Sequence, residues 1–159
     1  MCGFSGVFGK NISHMKERVE SSNRVIKHRG PDATNFYFGD NFSVGFNRLK
    51  IIDLSSAADQ PFENDDFVLV FNGEIYNYVE LQDKFRFDLK TKSDTEILFN
   101  VLKKFKNDIK EGLNLLDGMF AFAFYDKKSN VLILGRDRFG VKPLYYSFIG
   151  DALVFGSEI

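Results

Sequence analysis

Residues 67–71 read Phe-Val-Leu-Val-Phe, an unbroken apolar run. A strand turns alternate side chains to opposite faces, so this run is satisfied only where both faces are covered. That predicts a central strand with layers stacked on each side. Cys2–Phe8, Asn35–Phe38, Phe42–Phe46, Met119–Tyr125, Val131–Gly135, Leu144–Ile149 and Ala152–Gly156 also read as strands, separated by turn formers such as Gly39-Asp40-Asn41 and Gly150-Asp151. Helical spacing links Ile12, Met15, Val19, Ser22 and Ile26 up to the His28-Arg29-Gly30-Pro31 turn, where Pro31 stops the helix. Asn77–Phe85 and Asp94–Phe105 read as helices, with a shorter one over Ile109–Leu116. In the second, Ile97, Leu98, Val101, Leu102 and Phe105 form one stripe and Ser93 or Asp94 supplies the N-cap. Strands outnumber helices, so the expected fold is α+β, with helices covering stacked sheets in one domain over residues 1–159.

Charge narrows the partners. The chain has 21 basic and 22 acidic side chains, a net charge of −1, which removes the usual electrostatic basis for nucleic-acid or anionic-membrane binding. Residues 51–83 hold eight carboxylates and no Lys or Arg, whereas 84–110 hold eight bases and four acids; solvated faces account for both. No apolar run approaches the roughly 20 residues that span a bilayer. The first base, Lys10, follows the apolar N-terminal stretch instead of preceding it, so no secretory signal is expected and the localisation expected is cytoplasmic. A single cysteine rules out a disulfide framework, and His14 and His28 offer no ligand spacing, so no metal site is expected.

Position singles out that cysteine. Once the initiator Met is removed, Cys2 carries a thiol and a free α-amine on one carbon. An α-amine titrates near pH 7.7–8.0, so part of it is an available base at neutral pH, and a thiolate is a strong nucleophile. Asn72-Gly73-Glu74 directly follows the apolar run; an Asn amide beside an unhindered Gly N–H offers two donors for one oxygen, although a plain Asn-Gly turn is the simpler reading. Arg48 can grip a carboxylate with its fork, and Asp94, if not merely a helix cap, is an anion for an ammonium. Together these describe an α-amino acid bearing a side-chain amide, attacked by the thiol.

The same residues carry a resemblance. Met1-Cys2-Gly3, His28-Arg29-Gly30-Pro31-Asp32, Arg48–Asp53, Gln60-Pro61, Asn72–Tyr78, Ser93–Glu96, Gly118–Ala123 and Arg136–Tyr146 occur in the order found in class II (N-terminal nucleophile) glutamine amidotransferases. The chain most resembles the glutaminase domain of glutamine-hydrolysing asparagine synthetase. The resemblance implies an αββα sandwich of the N-terminal nucleophile hydrolase type. It implies Cys2 as nucleophile, Asn72 and Gly73 as oxyanion donors and Arg48 as the clamp on the α-carboxylate of L-glutamine. It also implies Glu74 and Asp94 as partners of the α-ammonium, and backbone contacts from Leu49, Ile51 and Ile52. Arg29 belongs to the turn that the family brings near the nucleophile, with no role assigned to it. The Arg136–Tyr146 segment reads as scaffold.

Two departures stand out. Phe46 occupies a position where relatives often have His, and no Ser-Gly-Gly-x-Asp-Ser loop is present. Family members continue with further strands and then a synthetase domain, so the last strands of the sandwich are expected to be missing here. ATP and Mg2+ are expected only on a synthetase domain or separate synthetase subunit, with no cofactor in this chain. Other ammonia acceptors (a sugar phosphate, or a natural product) and a non-catalytic module of the same fold are the rival readings.

Overall fold

The computed structural model describes residues 1–159. Its strands are β1 (Gly3–Phe8), β2 (Ala33–Phe38), β3 (Phe42–Arg48), β4 (Phe62–Glu63), β5 (Phe67–Ile75), β6 (Gly118–Asp126), β7 (Val131–Arg136), β8 (Tyr145–Ile149) and β9 (Ala152–Gly156). Its helices are α1 (Lys16–Val25), α2 (Tyr78–Phe85), α3 (Asp94–Lys104) and α4 (Ile109–Asn114). The helix expected over 12–26 is α1 flanked by tight 3-10 turns at Ile12–Met15 and Ile26–Arg29. Asn11 adopts a left-handed conformation just before the first turn, with no side-chain cap on it.

Two antiparallel sheets stack face to face, one ordered β2-β3-β1-β9-β8 and the other β4-β5-β6-β7. Phe4, Phe42, Val44, Phe46, Val68, Val70, Ala121, Ala123, Tyr125 and Phe155 fill the space between them. The outer face of the second sheet buries Phe67, Leu69, Phe71, Ile75, Phe122 and Phe124 against α2 and α3. The outer face of the first carries α1, through Val7, Ile12, Met15 and Val19. These are the layers of an αββα sandwich. Phe46 is fully buried between the sheets.

Helix α3 shows how sequence becomes packing. Ser93 accepts the Thr95 N–H at 3.2 Å and caps the first turn. Eight residues of the helix are buried, including Glu96, whose carboxylate accepts the N–H groups of Lys90 and Thr91 and the Thr91 hydroxyl. Phe99 packs edge-on against Phe62, Phe67 and Phe124, so Phe99→Ala should cost about 3–5 kcal/mol.

Candidate active site

Strand β5 forms one wall. Phe67, Leu69, Phe71 and Ile75 point to the helix side, and Val68 and Val70 point between the sheets. Alternation therefore directs Asn72 and Glu74 toward the inter-sheet side, against which Cys2 packs. Asn72-Gly73-Glu74 lies within the strand, which stays paired with β6 as far as Ile75 opposite Gly118. The expected loop or turn at this point does not form, because long-range pairing with β6 overrides a local turn preference. Glycine is needed here for closeness: a Cβ on residue 73 would lie 2.2 Å from the Met119 carbonyl oxygen.

Beyond β4 the other edge of β5 has no neighbouring strand, and side chains take its place. Gln60 accepts the Phe71 N–H at 2.6 Å and donates to the Phe71 carbonyl at 3.2 Å. Asp94 accepts the Ile75 N–H at 3.0 Å. Gly73 faces this same edge, because Phe120 opposite it directs its own N–H and carbonyl to Asp137. The Gly73 N–H is thus left for a ligand. Beside it, Asn72 is 1% exposed and its Nδ2 has no hydrogen-bond partner. Two donors without acceptors suit an oxygen that develops negative charge.

The opposite wall comes from the first sheet. Half-buried Cys2 precedes β1; its Sγ accepts the Leu49 N–H at 3.3 Å and lies 3.6 Å from the Leu49 carbonyl oxygen. Burial pushes the thiol above its ordinary value and Asp94 adds to that, against the Leu49 N–H, the N-terminal charge and Arg48. A thiol so placed needs a base. The Arg29 Nε donates to the Cys2 carbonyl at 3.0 Å, and Glu158 in turn holds Arg29 at 2.9 Å and His28 at 3.1 Å. Met1 is 58% exposed, with its Sδ 3.3 Å from the Lys142 Nζ.

Arg48 ends β3 and is buried; its Nη1 donates to the Ser55 carbonyl at 2.8 Å and to Asp59 Oδ1 at 2.5 Å, and its Nη2 to the Asp53 carbonyl. Asp94 opens α3, and its carboxyl is raised to about 6, chiefly by burial and further by Glu74, against the Ile75 N–H. Asp53 is held at about 2 by the Ser55 hydroxyl and the Lys92 and Ser55 N–H groups.

Cys2, Arg48, Leu49, Ile51, Ile52, Gly73, Glu74 and Asp94 line one cavity of about 70 Å³, and Asn72 lies outside that lining. A larger apolar groove of about 610 Å³ runs between α1 and strands β8 and β9, far richer in hydrocarbon and without a thiol. Asp53, Asp59, Gln60 and Thr95 belong to the site or its support, and of these Asp59 alone stood outside the recognisable motifs. The Arg136–Tyr146 segment supports the site from behind. Although burial opposes it, the N–H groups of Lys142, Val141, Phe120 and Phe139 hold the Asp137 carboxyl below its ordinary value, and Phe120 is the residue paired with Gly73. No group of three or more His, Cys, Asp or Glu side chains is arranged to hold a metal ion.

The family described as "Glutamine amidotransferase domain" matches residues 1–159. The chain belongs to that family. This amidotransferase domain is 40% identical over 167 residues to asparagine synthetase [glutamine-hydrolyzing] 1 of Bacillus subtilis, covering 99% of the chain and 26% of the relative. It is 38% identical over 181 residues to the putative asparagine synthetase [glutamine-hydrolyzing] 2 of Methanocaldococcus jannaschii, covering 100% of the chain and 34% of the relative. It therefore spans about a quarter to a third of the length of these curated relatives. Among solved structures, glutamine phosphoribosylpyrophosphate amidotransferase from B. subtilis, complexed with ADP and GMP, shares the fold. The TM-score is 0.83 at 22% identity, over 99% of this chain and 42% of that one. No helix of the amidotransferase domain is long and apolar enough to cross a membrane.

Proposed function

We propose that this domain hydrolyses the side-chain amide of L-glutamine to glutamate and ammonia through a thioester on Cys2. The ammonia would then pass to a synthetase domain or separate synthetase subunit, which would use ATP and Mg2+ to convert aspartate to asparagine. The observation that carries the reading is the pair of unpartnered donors, Asn72 Nδ2 and the Gly73 N–H, beside the cavity that holds the only thiol. The relatives' names join glutamine hydrolysis to asparagine synthesis, and that supports aspartate as the acceptor.

In this mechanism, removal of Met1 frees the Cys2 α-amine, which takes the thiol proton directly or through a water. The thiolate attacks the carboxamide carbon, and Asn72 and Gly73 stabilise the resulting oxyanion. The carbon–nitrogen bond then breaks as the amine's proton goes to the departing ammonia. Water adds to the thioester, releasing glutamate and restoring the thiol. Arg48 grips the α-carboxylate, Asp94 and Glu74 hold the α-ammonium, and the Leu49–Ile52 backbone completes the seat. A cytoplasmic location fits this chemistry, since glutamine and ATP are both met there.

Intact mass before and after exposure to the glutamine analogue diazo-oxo-norleucine tests the reading. Loss of Met1 and a single adduct mapped to Cys2 is the expected result. Active protein that retains Met1 would overturn it.

A further inference from the structure

Asp59 is the one acidic side chain paired with Arg48, at 2.5 Å. We propose that Asp59 is a positioning residue. It fixes the Arg48 fork so that the donors left over meet the α-carboxylate of the substrate. This rests on the reading of Arg48 as the carboxylate clamp.

A guanidinium has five N–H donors. Both on Nη1 are engaged, one by the Ser55 carbonyl and one by Asp59, and one on Nη2 goes to the Asp53 carbonyl. The Nε–H and a second Nη2–H remain, on neighbouring nitrogens, in a residue that lines the cavity. Neighbouring donors of this kind can take the two oxygens of a carboxylate together.

Charge explains why an acid is needed in the anchoring set. The Arg48 side chain is only 7% exposed, and carbonyl acceptors alone would leave a buried cation uncompensated while the pocket is empty. Asp59 supplies that compensation from a fixed position. Its N–H donates to the Ser56 carbonyl at 3.1 Å, closing the short turn before it. The next residue, Gln60, is bonded to Phe71 on β5 and to Thr95 on α3. Asp59 is thereby tied to the two elements that carry Gly73 and Asp94. The spacing between the carboxylate clamp and the oxyanion donors is set through this connection.

A carboxylate beside the clamp could instead compete with the substrate, and the two roles have opposite signs. The test uses the full-length protein, with ammonia release measured from glutamine and from 4-aminobutanamide, which is glutamine without its α-carboxylate. Asp59→Asn should raise KM for glutamine about tenfold or more and leave kcat within about threefold. It should leave kcat/KM for 4-aminobutanamide unchanged. Asp59→Glu, which keeps the charge, should recover most of the loss. A KM that falls or stays level overturns the proposal, and so does an equal loss with both substrates, which marks a merely structural role. Two controls separate this from failure of the underlying reading. Activity surviving Cys2→Ala sinks the thioester, and an unchanged KM in Arg48→Ala sinks the clamp. With both controls behaving as expected, a normal Asp59→Asn sinks Asp59 alone.

Discussion

The two sheets hold their halves of the site by different means. On the second sheet, Asn72, Gly73 and Glu74 are set by strand register, with β5 paired to β6 along its whole length. A slip of one residue would turn Asn72 and Glu74 toward the helices. On the first sheet, Cys2 lies just ahead of β1 and Arg48 at the very end of β3, and both depend on contacts from loops: Leu49 and Arg29 for Cys2, and Ser55, Asp53 and Asp59 for Arg48. In the proposed mechanism the ladder fixes the groups that would stabilise charge in the transition state, Asn72 and Gly73. The loops fix Cys2 and Arg48, the proposed nucleophile and the proposed clamp on the unreactive end of the substrate. Rigidity is thus concentrated where a small displacement costs most in rate.

Substitutions on the two sides should separate accordingly. The largest effect is expected from Cys2→Ala, which should reduce ammonia release from glutamine below about one per cent, because the chain has no second thiol. Asn72→Ala comes next. It should lower kcat about 100- to 1000-fold with little change in KM, and a change confined to KM would remove Asn72 from the oxyanion site. Arg48→Ala should act in the other direction, raising KM about 10- to 100-fold at nearly constant kcat. Steady-state kinetics that showed kcat falling instead would erase the distinction between the two walls.

Asp94 gives the mildest and most diagnostic test. Its carboxyl is raised to about 6, and in the proposed mechanism its ionised form holds the substrate ammonium, so KM for glutamine should climb up to about tenfold per pH unit below that value. Asp94→Asn should have a higher KM at pH 7 and lose this slope. The same shift bears on stability. A carboxyl raised from 3.8 to about 6 in the fold contributes stability below pH 3.8 that is lost as pH rises through 6. Asp94→Asn should therefore be more stable than the parent at pH 7, by up to about 3 kcal/mol in a denaturant titration, with activity traded for it.

What was legible in the chain followed local chemistry. Phe67–Phe71 forecast a doubly covered strand because its apolar side chains leave no other solution, and the 94–105 stripe with Ser93 forecast a capped helix. Cys2 stood out through its position. The misreading of Asn72-Gly73-Glu74 as the end of a strand came from a dipeptide whose local preference is a turn, whereas Gly118–Phe120, more than 40 residues later, decide its conformation. Asp59 drew no notice, and Gln60 drew it only as part of Gln60-Pro61 with no role attached, for a related reason. Their roles depend on Arg48, Phe71 and Thr95, up to 35 residues distant, which no local pattern reports.

The unpaired Asn72 Nδ2 and Gly73 N–H also set a rule for inhibitor chemistry at this cavity. A compound that places a carbonyl, phosphonyl or sulfonyl oxygen between them supplies the acceptor that both donors lack. A close isostere with a methylene at that point strands two donors away from water, and selectivity among otherwise similar amino-acid mimics should follow that single atom.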